Sequence, residues 1–163
     1  MQALLPSCLT TLFATRAGTA APAKSSPGPV PPAAAHSARI AATKSEDCGP
    51  CLQTSVNYAL GANIDASLIR AAVARDLDAM DEETRTAYLF AEAVSARDPV
   101  CDDYRSQIEK WWGKAGVTEL ALAIASTRVF PTVKRAMGYA KACQRVTIAG
   151  QTTAARFPER AMV

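Results

Sequence analysis

The sequence predicts an all-α protein, on two features of its composition and one of its patterning. Aliphatic, aromatic and cysteine residues make up 49% of the 163 residues, but aromatic residues only 6%. Alanine is frequent instead, which suits closely packed helices, whereas a β-sandwich needs β-branched and aromatic residues. Beyond residue 37, apolar residues recur at helical spacing, and the sequence contains no strong internal repeat and no hairpin signal.

Residues 1–37 are predicted to be a disordered leader rich in alanine and proline. Half of the ten prolines fall between residues 18 and 37, where they prevent regular backbone hydrogen bonding. Residues 1–45 contain four basic residues and no acidic one, whereas residues 46–163 contain 14 basic and 15 acidic residues. The basic pI therefore comes from the leader and does not indicate nucleic-acid binding. An organellar transit peptide is the alternative interpretation of this leader.

Neither a membrane span nor a secreted disulfide framework is expected. The sequence has no uninterrupted apolar run of 18 residues or more. Its five cysteines are odd in number and irregular in spacing, which favours a reducing compartment and one redox or metal-binding site. We therefore expect a cytoplasmic protein. The cysteines are Cys8, Cys48, Cys51, Cys101 and Cys143.

Most of the chain beyond the leader is predicted to be helical. Asp65 and Asp81 precede apolar periodic segments and are candidate N-caps. Gly61 is a candidate helix stop, and Pro99 suits the first turn of a helix because no hydrogen bond is lost there. The predicted helices span residues 38–45, 48–60, 66–77, 82–97, 99–114 and 116–143.

The last predicted helix is apolar and alanine-rich but contains Pro131. We expect Pro131 to kink or break it, because the proline ring clashes with the preceding helical turn. Helical periodicity is lost after Cys143. The sequence thus predicts a helical domain over residues 38–143 and a loose C-terminal tail over residues 144–163.

The motif Cys48-Gly49-Pro50-Cys51 is the strongest chemical signal in the sequence. Two cysteines separated by two residues can close a small disulfide ring. At a helix N-terminus, unpaired N–H groups and the helix dipole favour the thiolate form, which is the nucleophile. Ser55 shares the helical face of both cysteines, and its hydroxyl is placed to hydrogen-bond Cys51 or to hold a water, although it is no base.

The cysteine pair has three other interpretations. The motif is also the thioredoxin signature, but neither flank supplies the β-branched strand that the thioredoxin fold requires. A zinc site would need two further ligands from Cys101, Cys143 or His36, and no second Cys-x-x-Cys is present. An inert pair of packed thiols stays open as an alternative. No metal and no cofactor are expected.

The chain resembles the carboxymuconolactone decarboxylase and alkylhydroperoxidase D-like family over roughly residues 38–143. The resemblance rests on residues 46–53 (EDCGPCLQ), which open a helix, on Trp112-Gly113, on residues 119–125 (ELALAIA) and on residues 131–138 (PTVKRAMG). It implies an alkylhydroperoxidase D-like helical bundle that assembles into homotrimers or multiples of them. The Cys-x-x-Cys pair argues against the lactone-decarboxylating branch, which does not use such a pair.

In the alkylhydroperoxidase branch the resemblance implies a thiol-dependent peroxidase. Carried over, Cys51 is oxidised by a hydroperoxide to a sulfenic acid, and Cys48 closes the disulfide. A dithiol, such as a lipoyl group on a partner protein, would then reset the pair. No nucleic acid and no membrane are implied as partners.

The sequence departs from that branch at two positions. Ser55 stands where the branch has a histidine, and His36 stands where it has a glutamate, so the proton relay is not carried over intact. Glu46 is a candidate substitute base, with a dipole-stabilised acid before the helix as the alternative. The sequence therefore predicts a slow peroxidase or a thiol oxidoreductase with another substrate.

Two further alternatives concern the whole chain. The missing histidine favours a non-catalytic helical assembly protein with a structural or regulatory cysteine pair. The second alternative is an altered member of that family, in which the proline-rich leader replaces the upstream helices.

The basic residues Arg128, Lys134 and Arg135 are interpreted as a solvated helix face, with anion binding near Pro131 as the alternative.

Overall fold

The computed structural model describes residues 29–139 and 145–155, and this part of the chain is mostly helical. It contains five helices and one two-stranded sheet, so the predicted mainly helical character is confirmed. Residues 1–28, which hold most of the predicted leader, lie outside the described ranges. The elements are α1 (Pro32–Lys44), α2 (Gly49–Gly61), α3 (Ala66–Ala74), α4 (Glu82–Ala96), α5 (Cys101–Ala136), β1 (Arg145–Ile148) and β2 (Gln151–Ala154).

Helix α1 is the centre of the core and contacts each of the other four helices. Its run of alanines lets neighbouring backbones approach closely, and Ile40 is 1% exposed. The helix begins at Pro32, inside the predicted leader, because proline is well suited to the first helical turn. The largest fully buried apolar side chains around it are Leu52, Ile69, Tyr88, Ile108 and Leu120.

The two predicted N-caps are confirmed. The Asp65 carboxylate accepts a hydrogen bond from the Ser67 backbone N–H at 2.6 Å, at the start of α3. The Asp81 carboxylate accepts one from the Thr84 N–H at 2.8 Å, at the start of α4. These caps fix where both helices begin and hence how their apolar faces meet α1.

Helix α5 consists of two helical segments that meet at a kink, and the second segment contains Pro131. The predicted boundary between two helices, near residues 114–116, is found at Gly113, whose φ of 64° and ψ of −173° are accessible to glycine and strained for other residues. The helix continues through Pro131 to Ala136, so Pro131 does not end it. Its buried ring faces the core, and the N–H that it lacks leaves the Thr127 carbonyl without its usual helical donor.

The C-terminal segment contains a β-hairpin where the sequence predicted a loose tail. Strands β1 and β2 pair antiparallel, with Ile148 opposite Gln151, and a two-residue turn joins them. Ala149 and Gly150 both have positive φ, as such turns require, but an Ala-Gly turn lacks the usual Asn-Gly or Asp-Gly signal. The hairpin packs against α2 and α3, where Val146 (2% exposed) and Ile148 (0%) are buried.

Among residues 29–139 and 145–155, no helix combines the length and the apolarity needed to cross a bilayer.

Candidate redox site at the start of helix α2

The predicted cysteine pair opens α2 and is joined as a disulfide. Cys48 is the N-cap residue in an extended conformation, and its carbonyl accepts the first helical hydrogen bond, from Leu52 N–H at 2.9 Å. Gly49 and Pro50 form the first helical positions, so Cys51 is the third. This turn brings the two Cα atoms to 5.3 Å, within the usual range for a disulfide. Cys48 is 3% exposed and Cys51 8% exposed, so the pair is nearly enclosed.

Glu46, two residues before Cys48, is held by two arginines of α5. Arg128 Nε donates to Glu46 Oε1 at 2.5 Å, and Arg135 Nη1 donates to Oε2 at 2.9 Å. Arg135 also donates to the Glu46 backbone carbonyl. Burial raises the pKa of the Glu46 carboxyl, but the hydrogen bonds and charges of the two arginines outweigh it and lower the pKa overall. The carboxylate is therefore ionised and fully engaged, which makes it a weak base.

This arrangement differs from the sequence interpretation of the arginines as a solvated face. Arg128 and Arg135 lie seven residues apart, so α5 presents both on one side. Their partner is 82 and 89 residues away in the sequence, which no local pattern reveals. The seven-residue separation of the two arginines indicates that they share a helical face, but it does not indicate which residue they bind.

Ser55 is hydrogen-bonded to a residue of α1. Its hydroxyl lies 2.9 Å from Thr43 Oγ1, and Thr43 Oγ1 in turn donates to the Arg39 carbonyl at 2.8 Å. Because the Thr43 proton is used there, Ser55 donates to Thr43 and keeps its lone pairs as acceptors. Ser55 is 8% exposed and one helical turn beyond Cys51. Its predicted hydrogen bond to Cys51 stays a prediction.

His36, which stands where the family that the sequence resembles has a glutamate, lies on α1. Its Nδ1 is buried without a hydrogen-bond partner within the described residues. Burial, and secondarily the charge of Arg39, lowers the pKa of His36, so the ring is neutral at pH 7. At pH 7 the neutral His36 ring therefore contributes no positive charge that could stabilise a thiolate of the cysteine pair.

A second polar cluster, which the sequence did not reveal, lies in the core around Lys44, two residues before Glu46 in the sequence. Lys44 is 2% exposed, and its Nζ donates to Tyr88 Oη at 2.7 Å and to the Ala72 carbonyl at 3.1 Å. Arg75 binds Glu92 in a fork, with an Nη2–Oε2 distance of 3.0 Å. Burial lowers the pKa of Lys44 to about 8, with Glu92 opposing and Arg75 adding to the shift. Burial also raises the pKa of Tyr88.

The other cysteines do not join the pair in the described part of the chain. Cys101 is a half-buried free thiol at the start of α5, and Cys8 and Cys143 lie outside the described residues. Within residues 29–139 and 145–155, no three histidine, cysteine or acidic side chains are grouped as metal ligands would be.

The fold and the site together define a mainly helical protein with a Cys-x-x-Cys disulfide at a helix N-terminus. Comparison with protein-family models, curated proteins and solved structures finds no match to the chain. Membership of the alkylhydroperoxidase D-like family therefore stays a prediction from the residues quoted above.

Proposed function

We propose that the protein is a thiol-dependent hydroperoxidase whose redox centre is the Cys48–Cys51 pair. The observation that carries the proposal is the disulfide itself, closed across the first turn of α2 with a Cα–Cα distance of 5.3 Å. When this bond is reduced, the N–H groups of the first turn and the helix dipole favour a thiolate. A peroxide-reducing cycle requires a nucleophilic thiolate and a second thiol close enough to form a disulfide with it.

The reaction proceeds in three balanced steps. The Cys51 thiolate attacks one oxygen of the hydroperoxide and the O–O bond breaks, which gives a Cys51 sulfenic acid and an alkoxide or hydroxide that takes a proton from solvent to become an alcohol or water. The Cys48 thiol then attacks the Cys51 sulfur, which forms the disulfide and releases water. A dithiol reduces the disulfide to two thiols and is itself oxidised to a disulfide. The roles of Cys51 and Cys48 follow from the family resemblance.

The burial of the pair supports a small oxidant and an indirect reductant. With Cys48 at 3% and Cys51 at 8% exposure, hydrogen peroxide or a small alkyl hydroperoxide fits the available access better than a bulky substrate. A lipoyl arm or other protein-borne dithiol has to reach the more exposed residue of the pair, which is Cys51. The reset step is therefore expected to limit turnover.

A steady-state assay tests this proposal. Full-length protein is given hydrogen peroxide and dihydrolipoamide, and loss of peroxide and of dithiol is followed. We expect catalytic consumption of one dithiol per peroxide. Consumption no faster than the uncatalysed reaction with either dihydrolipoamide or dithiothreitol would contradict the proposal.

An exposed apolar face of α5 favours a second candidate function, a non-catalytic helical assembly protein. Phe130 is 72% exposed, and three other apolar residues of the same helix together with its C-cap residue are at 47–61%. Exposed apolar side chains that recur along one helix mark a surface that packs against another helix. Assembly into homotrimers or multiples of them is also compatible with the peroxidase proposal. The four other residues are Leu122, Val129, Val133 and Met137.

We expect the double substitution Val129→Ser with Phe130→Ser to dissociate the assembly, because it removes the centre of that face. Sedimentation velocity at about 20 μM checks this. The matched control is Tyr58→Ser, which removes a 70% exposed aromatic residue on α2. A wild-type chain that sediments as a monomer would contradict assembly through α5.

A further inference from the structure

The ion-pair cluster before the cysteine pair has charges that do not cancel. One carboxylate, that of Glu46, faces two guanidinium groups at 2.5 Å and 2.9 Å. The Glu46 side chain is 4% exposed, whereas those of Arg128 and Arg135 are 35% and 53% exposed. The cluster therefore has a net charge of about +1, and its anion is the buried member.

This surplus charge lies close to the sulfur pair. Glu46 and Cys48 are two residues apart, so their Cα atoms are at most about 7 Å apart. Arg135 also donates to the Glu46 backbone carbonyl, which ties this short segment to α5. A lone buried carboxylate at this distance would destabilise a thiolate, and the two arginines offset that effect.

We propose that Arg128 and Arg135 are positioning residues of the redox pair, which offset the charge of Glu46 and stabilise the reduced, thiolate form. This inference rests on the redox use of the pair in the proposed function, but it does not depend on a peroxide being the oxidant. Stabilising the thiolate stabilises the reduced state, and so it raises the reduction potential of the disulfide. The arginines thereby make the pair easier for a dithiol to reset.

The proposal predicts opposite effects from the two halves of the cluster. Arg135→Gln removes a positive charge, so the potential becomes more negative. Glu46→Gln removes the negative charge and leaves both guanidinium groups, so the potential becomes more positive. Arg135→Lys keeps the charge but loses the fork that binds Oε2 and the backbone carbonyl of Glu46, so its potential stays near that of the wild type. A purely structural clamp would instead respond in one direction to every variant that loosens it.

The other charged groups near this segment do not alter the comparison. Asp47, half-buried beside Glu46, brings the sum of formal charges at this segment to about zero, but it is present in every variant and does not change the order of their potentials. Lys44 is turned into the core, where it bonds Tyr88. The Arg135 side chain is 53% exposed, so water and salt screen it in part. We therefore expect a threefold to tenfold change in the equilibrium constant with a dithiol, equivalent to about 15–30 mV.

The experiment equilibrates the full chain in dithiothreitol redox buffers at pH 7 and measures the oxidised fraction by thiol alkylation. The expected order of potentials is Glu46→Gln highest, wild type and Arg135→Lys in the middle, and Arg135→Gln lowest, with a smaller spread at 1 M salt. Shifts of the same sign in Glu46→Gln and Arg135→Gln, or no shift in either, would overturn the proposal. Should Glu46→Gln fail to fold, Arg128→Gln and Arg128→Lys replace it, and equal potentials in those two would overturn it.

This test separates the inference from the proposed function. If the potentials follow the expected order but no variant turns over peroxide, the electrostatic role stands and the peroxidase proposal fails. If the protein turns over peroxide but the potentials of the variants do not follow the sign of the charge removed, the peroxidase proposal stands and the electrostatic role fails.

Discussion

Replacing Cys51 by serine is expected to lower the rate of peroxide consumption by at least about 10³-fold, because a serine hydroxyl is not a nucleophile without a base. The carboxylate singled out as a candidate base, that of Glu46, has both oxygens bound by Arg128 and Arg135. In the absence of a dithiol, Cys48→Ser should instead react once and stop, because its Cys51 sulfenic acid has no resolving thiol. A burst of about one peroxide per chain, with dimedone labelling of Cys51, identifies that state.

Cys101→Ser is the matched control for these variants. Cys101 is a half-buried thiol at the start of α5 that takes no part in the disulfide. Its replacement should leave turnover unchanged. If Cys51→Ser and Cys101→Ser consume peroxide equally fast, Cys51 does not have the role assigned to it.

The second large effect is expected from Glu92→Ala, which should lower the free energy of unfolding by about 3 kcal/mol. Glu92 is the anion of the core cluster, with a side chain that is 10% exposed and bound in a fork by Arg75. Without it, the buried Lys44 ammonium group and Arg75 face each other without a counter-charge. The estimate lies at the lower end for buried ion pairs because Arg75 is 35% exposed. Urea unfolding followed by circular dichroism measures the change.

The double variant Lys44→Met with Glu92→Ala is the matched test of the cause. Removing the buried cation should recover most of the lost stability, since an unpaired charge no longer has to be buried. A double variant as unstable as the sum of both single variants would show that the loss comes from packing and not from charge.

The same lysine gives stability an unusual pH dependence. The pKa of Lys44 is about 8 in the folded protein, below its ordinary value of 10.5. Between these values the unfolded chain binds more protons than the folded one, so the free energy of unfolding rises with pH, by on the order of 2 kcal/mol. Above about pH 10 the raised pKa of Tyr88 opposes this rise. Lys44→Met should abolish it.

The sequence predicted those parts of the fold that depend on local chemistry. Asp65 and Asp81 cap α3 and α4 as expected, and the cysteine pair opens α2, because caps and first-turn residues act within one helical turn. The hairpin was missed because Ala149 adopts a positive φ that alanine seldom takes, so its turn carries no recognisable residue signal. Its burial against α2 and α3 supplies the stability that the turn residues do not.

The candidate site divides in the same way. Cys48 and Cys51 were found because their spacing alone places them at disulfide distance. Glu46 was singled out for its closeness in sequence, but its environment is set by Arg128 and Arg135 from the far end of the chain. Lys44 was missed altogether, since a lysine at the end of a helix is usually solvated and only the packing of α3 and α4 buries this one.

The most direct test of the redox role is a thiol count on the fully reduced chain before and after one equivalent of hydrogen peroxide. The sequence contains five cysteines. The count should fall from five to three, return to five with dithiothreitol, and stay unchanged in Cys51→Ser. A wild-type count that stays at five, or one that falls equally in Cys51→Ser, would contradict the assignment of the Cys48–Cys51 pair as a peroxide-reactive centre.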